Sequence, residues 1–242
     1  MTKPAVEVVT DLAPTGVLRA AINLGNPVLA HGTADAPAGV TVDIARELAA
    51  RLEVPVQFTC FDAARKSFAA MAAGDSDICF LAIEPARTAE VAFTAPYVVI
   101  EGVFAVVQNS DIVRTSDVDR EHVRVGVKEG SAYDLFLSRT LRQAHLVRGD
   151  EGTGVFSEQG LEVAAGIRQP VTAFVERTPG LRLLDEPFMA IRQAVGTTRN
   201  RLPDTVQFLA ASIEELKGSG FIRAALDRAG HVDVTVAGPA AK

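Results

Sequence analysis

The apolar positions of this chain fall into two periods. Ile78 to Ile83 is an unbroken apolar run of strand length, closed abruptly by Glu84-Pro85. Val17 to Asn23 and Val54 to Cys60 read as strands, the first ending in the turn signal Leu24-Gly25-Asn26-Pro27. Ile44, Leu48 and Leu52 lie on one helical stripe, predicting a helix from Asp43 to Leu52, and Ala63 to Ala73 reads as a second helix stopped by Gly74. This βαβαβ rhythm with short loops predicts a mostly parallel sheet with right-handed crossovers.

Further on, Val98 to Val107 is nearly continuous β-type sequence, interrupted by Glu101-Gly102 and stopped by Asn109-Ser110-Asp111. A second unit then begins with strand Val123 to Val127, turn Lys128-Glu129-Gly130, a helix from Ser131 and strand Ala144 to Val147. It continues through a short helix around Thr153 to Glu158, strand Leu161 to Ala165, a helix around Pro170 to Arg177 and strand Leu181 to Leu184. Ile191 to Gly196 is the next strand, and Pro203 to Lys217 and Gly220 to Ala229 are helices. The tail from His231 is expected to fray.

Two places on this outline carry candidate chemistry. Pro85 suits the first turn of a short helix, so Arg87 falls just beyond a strand's carboxyl end. Ligands of open α/β sheets sit at that end, and a guanidinium fork matches a carboxylate with two parallel hydrogen bonds. The plainer reading makes Arg87 a surface residue paired with Glu90. At the other place, Ser131 is a good N-cap with Asp134 spaced to reach back. A helix start offers free amides and partial positive charge to an anion, although any capped helix has one.

Composition narrows the functional classes. At 242 residues, 48% hydrophobic and 22% charged, the chain is an ordinary globule with room for two small lobes or one large domain. A net charge of −6 without any Lys/Arg stripe argues against nucleic acid as a partner, and no Trp with only two Tyr argues against a base-stacking platform. No segment approaches the roughly 20 apolar residues that cross a bilayer, so no membrane insertion is expected. Met1 to Pro14 contains no apolar stretch of signal-peptide length, which makes the chain cytoplasmic if it is complete as written. Cys60 and Cys79 both lie on apolar strand runs and are expected to be buried free thiols. His31, His122, His145 and His231 lack ligand spacing, so no metal site is expected. Without a Walker A loop, a dinucleotide glycine fingerprint or a G-x-S-x-G elbow, no cofactor is expected either.

Ile83-x-Pro85-x-Arg87 followed by Phe93-Thr94-x-Pro96-Tyr97 resembles the "I-T-P-x-R … F-S-x-P-Y" segment of polar amino-acid solute-binding proteins, the family-three receptors of ABC importers. Ala38 to Ala45 resembles the family's "G-x-x-V-D-L-A", and Gly130-Ser131-Ala132-Tyr133-Asp134 its "G-[ST]-x-x-E". The likeness extends over roughly Leu18 to Gly230.

The resemblance implies an α/β, two-lobed type II periplasmic-binding fold with two hinge crossovers, near Glu101 to Ala105 and Ile191 to Ala194. Residues 1–102 and 193–242 would form one lobe and 103–192 the other, closing on a ligand between them. It implies a periplasmic, monomeric binding protein for a small carboxylate-bearing solute, an amino acid or derivative, with an ABC permease as partner. Arg87 would clamp the ligand's carboxylate, with the amides of Ser131 and Ala132 and neighbouring Tyr133 assisting. The turn carrying Asn23 and Asn26 would lie over the ligand, although both asparagines equally suit service to the turn's own backbone. Glu162 aligns with the aspartate that holds an α-ammonium; a surface glutamate at a strand start is the alternative. Two departures stand out: Ala82 replaces a hydroxyl residue, and Glu84 replaces the motif threonine. Dehydratases of the cyclohexadienyl type resemble these receptors too, and Glu162 or Glu84, desolvated by Phe61 and Phe80, would then supply a proton. A cytosolic small-molecule sensor is a third reading.

Overall fold

The structure, a computed structural model, describes residues 4–240. The chain divides into two compact units: one runs to Val99 and resumes at Arg192, the other is Ile100–Ile191.

The first unit starts with α1 (Val6–Leu12), β1 (Leu18–Asn23), a short pair β2 (His31–Gly32) and β3 (Pro37–Ala38), and α2 (Val40–Leu52). It continues with β4 (Val56–Phe61), α3 (Ala64–Ala72), β5 (Ile78–Ala82), α4 (Pro85–Thr88) and β6 (Val91–Phe93). β7 (Val98–Val107) carries the chain into the second unit. There follow a 3-10 turn (Thr115–Val118), β8 (Arg124–Lys128), α5 (Ala132–Thr140), β9 (His145–Gly149), α6 (Gly152–Gln159), β10 (Val163–Ile167), α7 (Arg168–Arg177) and β11 (Leu181–Leu183). β12 (Met189–Thr198) brings the chain back, and α8 (Pro203–Gly218), α9 (Phe221–Arg228) and β13 (Thr235–Val236) complete the first unit.

Each unit has a parallel three-strand centre. In the first the order is β4-β1-β5, extended by antiparallel β12 and then β6. In the second it is β10-β8-β9, with β7 antiparallel to β10 and β11 antiparallel to β7. The α2 stripe of Ile44, Leu48 and Leu52 is buried as its spacing predicts. The helix begins three residues earlier than expected, at Val40, because Gly39 takes φ +110° and turns the chain into it.

Three expectations need correction. Residues 6–12 form a helix where no element was expected, packed on α8 with Asp11 Oδ2 accepting from Leu202 N at 2.9 Å. The tail is docked as far as Ala240: β13 pairs with Val98 and Val99, Ala237 N donates to Tyr97 O, and Lys217 Nζ donates to Gly238 O. Cys60 and Cys79 are free and flank β1 on separate strands, but only Cys79 is buried. Cys60 is half-buried because β4 is the outer strand of its sheet.

Candidate ligand-binding site

Parallel strands bring their carboxyl ends to one edge of a sheet, so position along a strand decides which residues can share a site. In the first unit that edge carries Asn23, Phe61 and Ala82, the last residues of β1, β4 and β5. Asn23 and Phe61 are register partners. Beyond Ala82, Pro85 opens α4 at the position where a missing amide proton costs nothing, with Glu84 as N-cap. That short turn sets Arg87 three residues after Glu84, a spacing that makes side chains neighbours.

Arg87 and Glu84 are both buried, 2% and 3% exposed. Arg87 Nη1 donates to the carbonyl of Ala82 at 3.2 Å. Burial pushes the guanidinium down to about 10, and the charge of Glu84 opposes that shift. It is a cation at neutral pH. Ala82 supplies no hydroxyl donor, but its backbone oxygen helps fix Arg87.

The two asparagines of the following turn divide. Asn23 Oδ1 accepts from Gly25 N at 3.1 Å, the backbone service that a turn asparagine ordinarily performs. Gly25 is required there, since a Cβ would lie 2.0 Å from the carbonyl oxygen of Asp62. Asn26, 5% exposed, has a buried Oδ1 with no hydrogen-bond partner among the described residues. Phe61 is half-buried and packs against the Ala21, Met71, Cys79, Leu81 and Val91 cluster.

In the second unit Ser131 caps α5 as expected, its side chain accepting from Asp134 N at 3.0 Å. Asp134 reaches back to Gly130 N at 2.9 Å, one residue before the usual capping-box partner, and also takes Arg148 Nε at 3.0 Å. The amide of Ser131 is already committed to Lys128 O at 3.1 Å, which corrects its expected role as a free donor. Ala132 and Tyr133, the first two helical residues, have amides that no helical carbonyl can reach. Tyr133 is buried, and burial raises its phenol above the ordinary value.

Glu162 stands elsewhere. It precedes β10 and binds Arg124 at the start of β8, with Nε to Oε2 at 2.9 Å and Nη2 to Oε1 at 2.8 Å. β8 and β10 run parallel, so this is the amino end of the pair, about 13 Å of strand from the Lys128 end that leads to Ser131. The structure does not bring Glu162 together with Ser131, Ala132 and Tyr133. Its acceptor capacity serves Arg124.

Sequence reading passed over two cations at the carboxyl edge of the second unit. Lys128, the last residue of β8, is 8% exposed and bonds Glu151 Oε1 at 2.5 Å; Arg168 follows β10 and pairs with Glu101. Their only sequence signal is position, immediately at or after a strand's end. An open pocket of about 500 Å³ is lined by Ser76 near the amino end of β5, by Thr198, Arg199 and Arg201, and by Ala89 and Glu90 just after α4. Among the described residues no three His, Cys, Asp or Glu side chains group to hold a metal, and no helix is long and apolar enough to cross a membrane.

Residues 18–231 match the model of a family described as Bacterial extracellular solute-binding proteins, family 3. The chain belongs to this family. A search of curated proteins found no match. Among solved structures, this solute-binding chain is similar to a mutant of ArgBP from T. maritima: 20% identity, 91% of this chain and 98% of that one, TM-score 0.74. AbpA, an amino acid ABC transporter substrate-binding protein from Streptococcus pneumoniae bound to L-arginine, is 17% identical over 93% and 98% at TM-score 0.75. The ancestral amino acid-binding protein AncCDT-1, a precursor of cyclohexadienyl dehydratase, is 18% identical over 92% and 99% at TM-score 0.75. At these identities the likeness speaks for the fold, which is the expected α/β periplasmic-binding kind with two connecting strands.

Proposed function

We propose that this family-three protein binds a small carboxylate-bearing solute, an amino acid or derivative, and delivers it to an ABC-type importer. The observation that carries the reading is Arg87, a buried cation held by a proline-led turn at the carboxyl end of a central parallel strand. A planar fork that is charged at neutral pH in that place is suited to one carboxylate. That residues 1–102 with 193–242, and 103–192, act as lobes closing on the solute belongs to the proposal and rests on family membership. So does the contribution of α5's first amides at Ala132 and Tyr133. The ligands named for similar structures, L-arginine among them, make amino acids the first compounds to try. Native mass spectrometry of the purified protein tests the reading: a co-purifying carboxylate that Arg87→Ala no longer retains supports it. Retention by a folded Arg87→Ala protein overturns it.

One observation favours a second reading. Glu84 is a buried acid, and a dehydratase precursor shares the fold. A dehydrating activity would be seen as loss of water from prephenate or arogenate, abolished by Glu84→Gln.

A further inference from the structure

Only three acidic side chains are buried among the described residues: Asp77, Glu84 and Asp134. Asp77 lies at the amino end of β5 and is committed to Arg19 and Arg201, at 2.8 and 3.0 Å. Asp134 is committed to Arg148 and to the α5 cap. Glu162, the acid that resemblance assigned to a ligand cation, is held by Arg124 at the wrong end of its strands. Of the three buried acids, Glu84 is the one at the same strand edge as Arg87, in the turn that carries it.

Its position has a chemical consequence. A carboxylate arriving at Arg87 also arrives beside Glu84, so two negative charges come to share one guanidinium in a poorly solvated place. Such an arrangement repels a plain carboxylate unless a third group supplies positive charge. A ligand carrying an ammonium close to its carboxylate supplies it. Asn26 Oδ1, buried without a hydrogen-bond partner at the same edge of the β4-β1-β5 sheet, adds a second acceptor for such a group.

Resting on the carboxylate-binding reading above, we infer that Glu84 is the specificity-determining residue that takes the ligand's ammonium and rejects carboxylates lacking one. In this chain the acceptor for the cation is therefore on the same turn as the donor for the anion. The two charges of an α-amino acid are read by residues three positions apart.

The test uses matched pairs of an L-amino acid and its deamino carboxylate: L-arginine with 5-guanidinopentanoate, L-glutamate with glutarate, L-phenylalanine with 3-phenylpropionate. Affinities are measured calorimetrically on the full chain, with a thermal melt of each variant. Wild type should bind the better amino acid about thirtyfold or more tighter than its deamino partner. Glu84→Gln should shrink that ratio at least about tenfold, weakening the amino acid while the plain carboxylate binds as well or better. Glu84→Asp keeps the charge and should keep the preference in direction, which preserves the test if Glu84→Gln does not fold. A ratio unchanged in Glu84→Gln, with both compounds still dependent on Arg87, overturns this inference and leaves the carboxylate reading standing. Binding of none of the compounds by wild type, or loss of dependence on Arg87, overturns both.

Discussion

Arg124 grips Glu162 through two nitrogens, Nε and Nη2, across the amino ends of two parallel strands. The hydrogen bonds from Arg124 are the largest cause holding the Glu162 carboxyl below its usual range; partial burial works the other way. A depressed folded value means stabilisation that is present above the unfolded value of about 4.3 and fades as pH falls through the folded one. Glu162→Gln should therefore melt slightly below wild type at pH 7 and converge with it in acid, with solute affinity within about twofold, since a half-exposed pair contributes little. Melting curves from pH 3 to 7 and one titration check this. A large loss of affinity would return Glu162 to the site.

Arg87→Ala should weaken binding of the solute found by mass spectrometry by about 2–5 kcal/mol, roughly thirtyfold or more, in a protein that still folds. Arg87→Lys should recover little, because an ammonium cannot reproduce the fork. The competing outcome, lost stability with unchanged affinity, would mean that Arg87 serves Glu84 and the Ala82 carbonyl alone.

Asp77 is fully buried and accepts from Arg19 N, Nε and Nη2 and from Arg201 Nη2. Asp77→Asn removes the charge that balances two arginines, and should cost about 3–5 kcal/mol of stability by urea unfolding. Affinity should be unchanged, because this hub lies at the far end of β5 from Arg87. Destabilisation under about 1 kcal/mol would show that water satisfies the arginines equally well.

The two thiols should behave differently. Burial pushes Cys79 up to about 12, so almost no thiolate exists at pH 8; Cys60 is also raised, by burial first and then Asp35, but it is partly accessible. Titration of the native, unreduced protein should find one slowly reacting group, and after unfolding two. Finding none after unfolding would mean a disulfide, which separate strands flanking β1 forbid.

How much of this was legible in advance depends on what a residue type can be used for. Pro85 has few tolerable positions, and it located α4 and Arg87; Ser131 located the α5 start; apolar runs located β1, β4 and β5. Glu162 was not legible, because a glutamate before a strand reads the same whether it awaits a ligand or holds Arg124. The commitment of Ser131 N to Lys128 O is likewise invisible, being backbone geometry within a turn. α1 escaped notice because three of its seven residues are valines, poor helix formers, and its packing on α8 depends on a partner nearly 200 positions later.

The discontinuity of the first unit reaches into biosynthesis. β5, buried at every position from Ile78 to Ala82, pairs on one side with β1 and on the other with β12. β12 is translated only after the whole of Ile100–Ile191, which at roughly 5–20 residues per second leaves that apolar strand edge open for several seconds. The intervening unit has its own parallel centre and can form during the wait, whereas the half-built first sheet cannot close. A nascent chain stalled near residue 185 should thus be the species that chaperones engage most strongly, and the one most prone to pair edge-to-edge with its neighbours on a polysome.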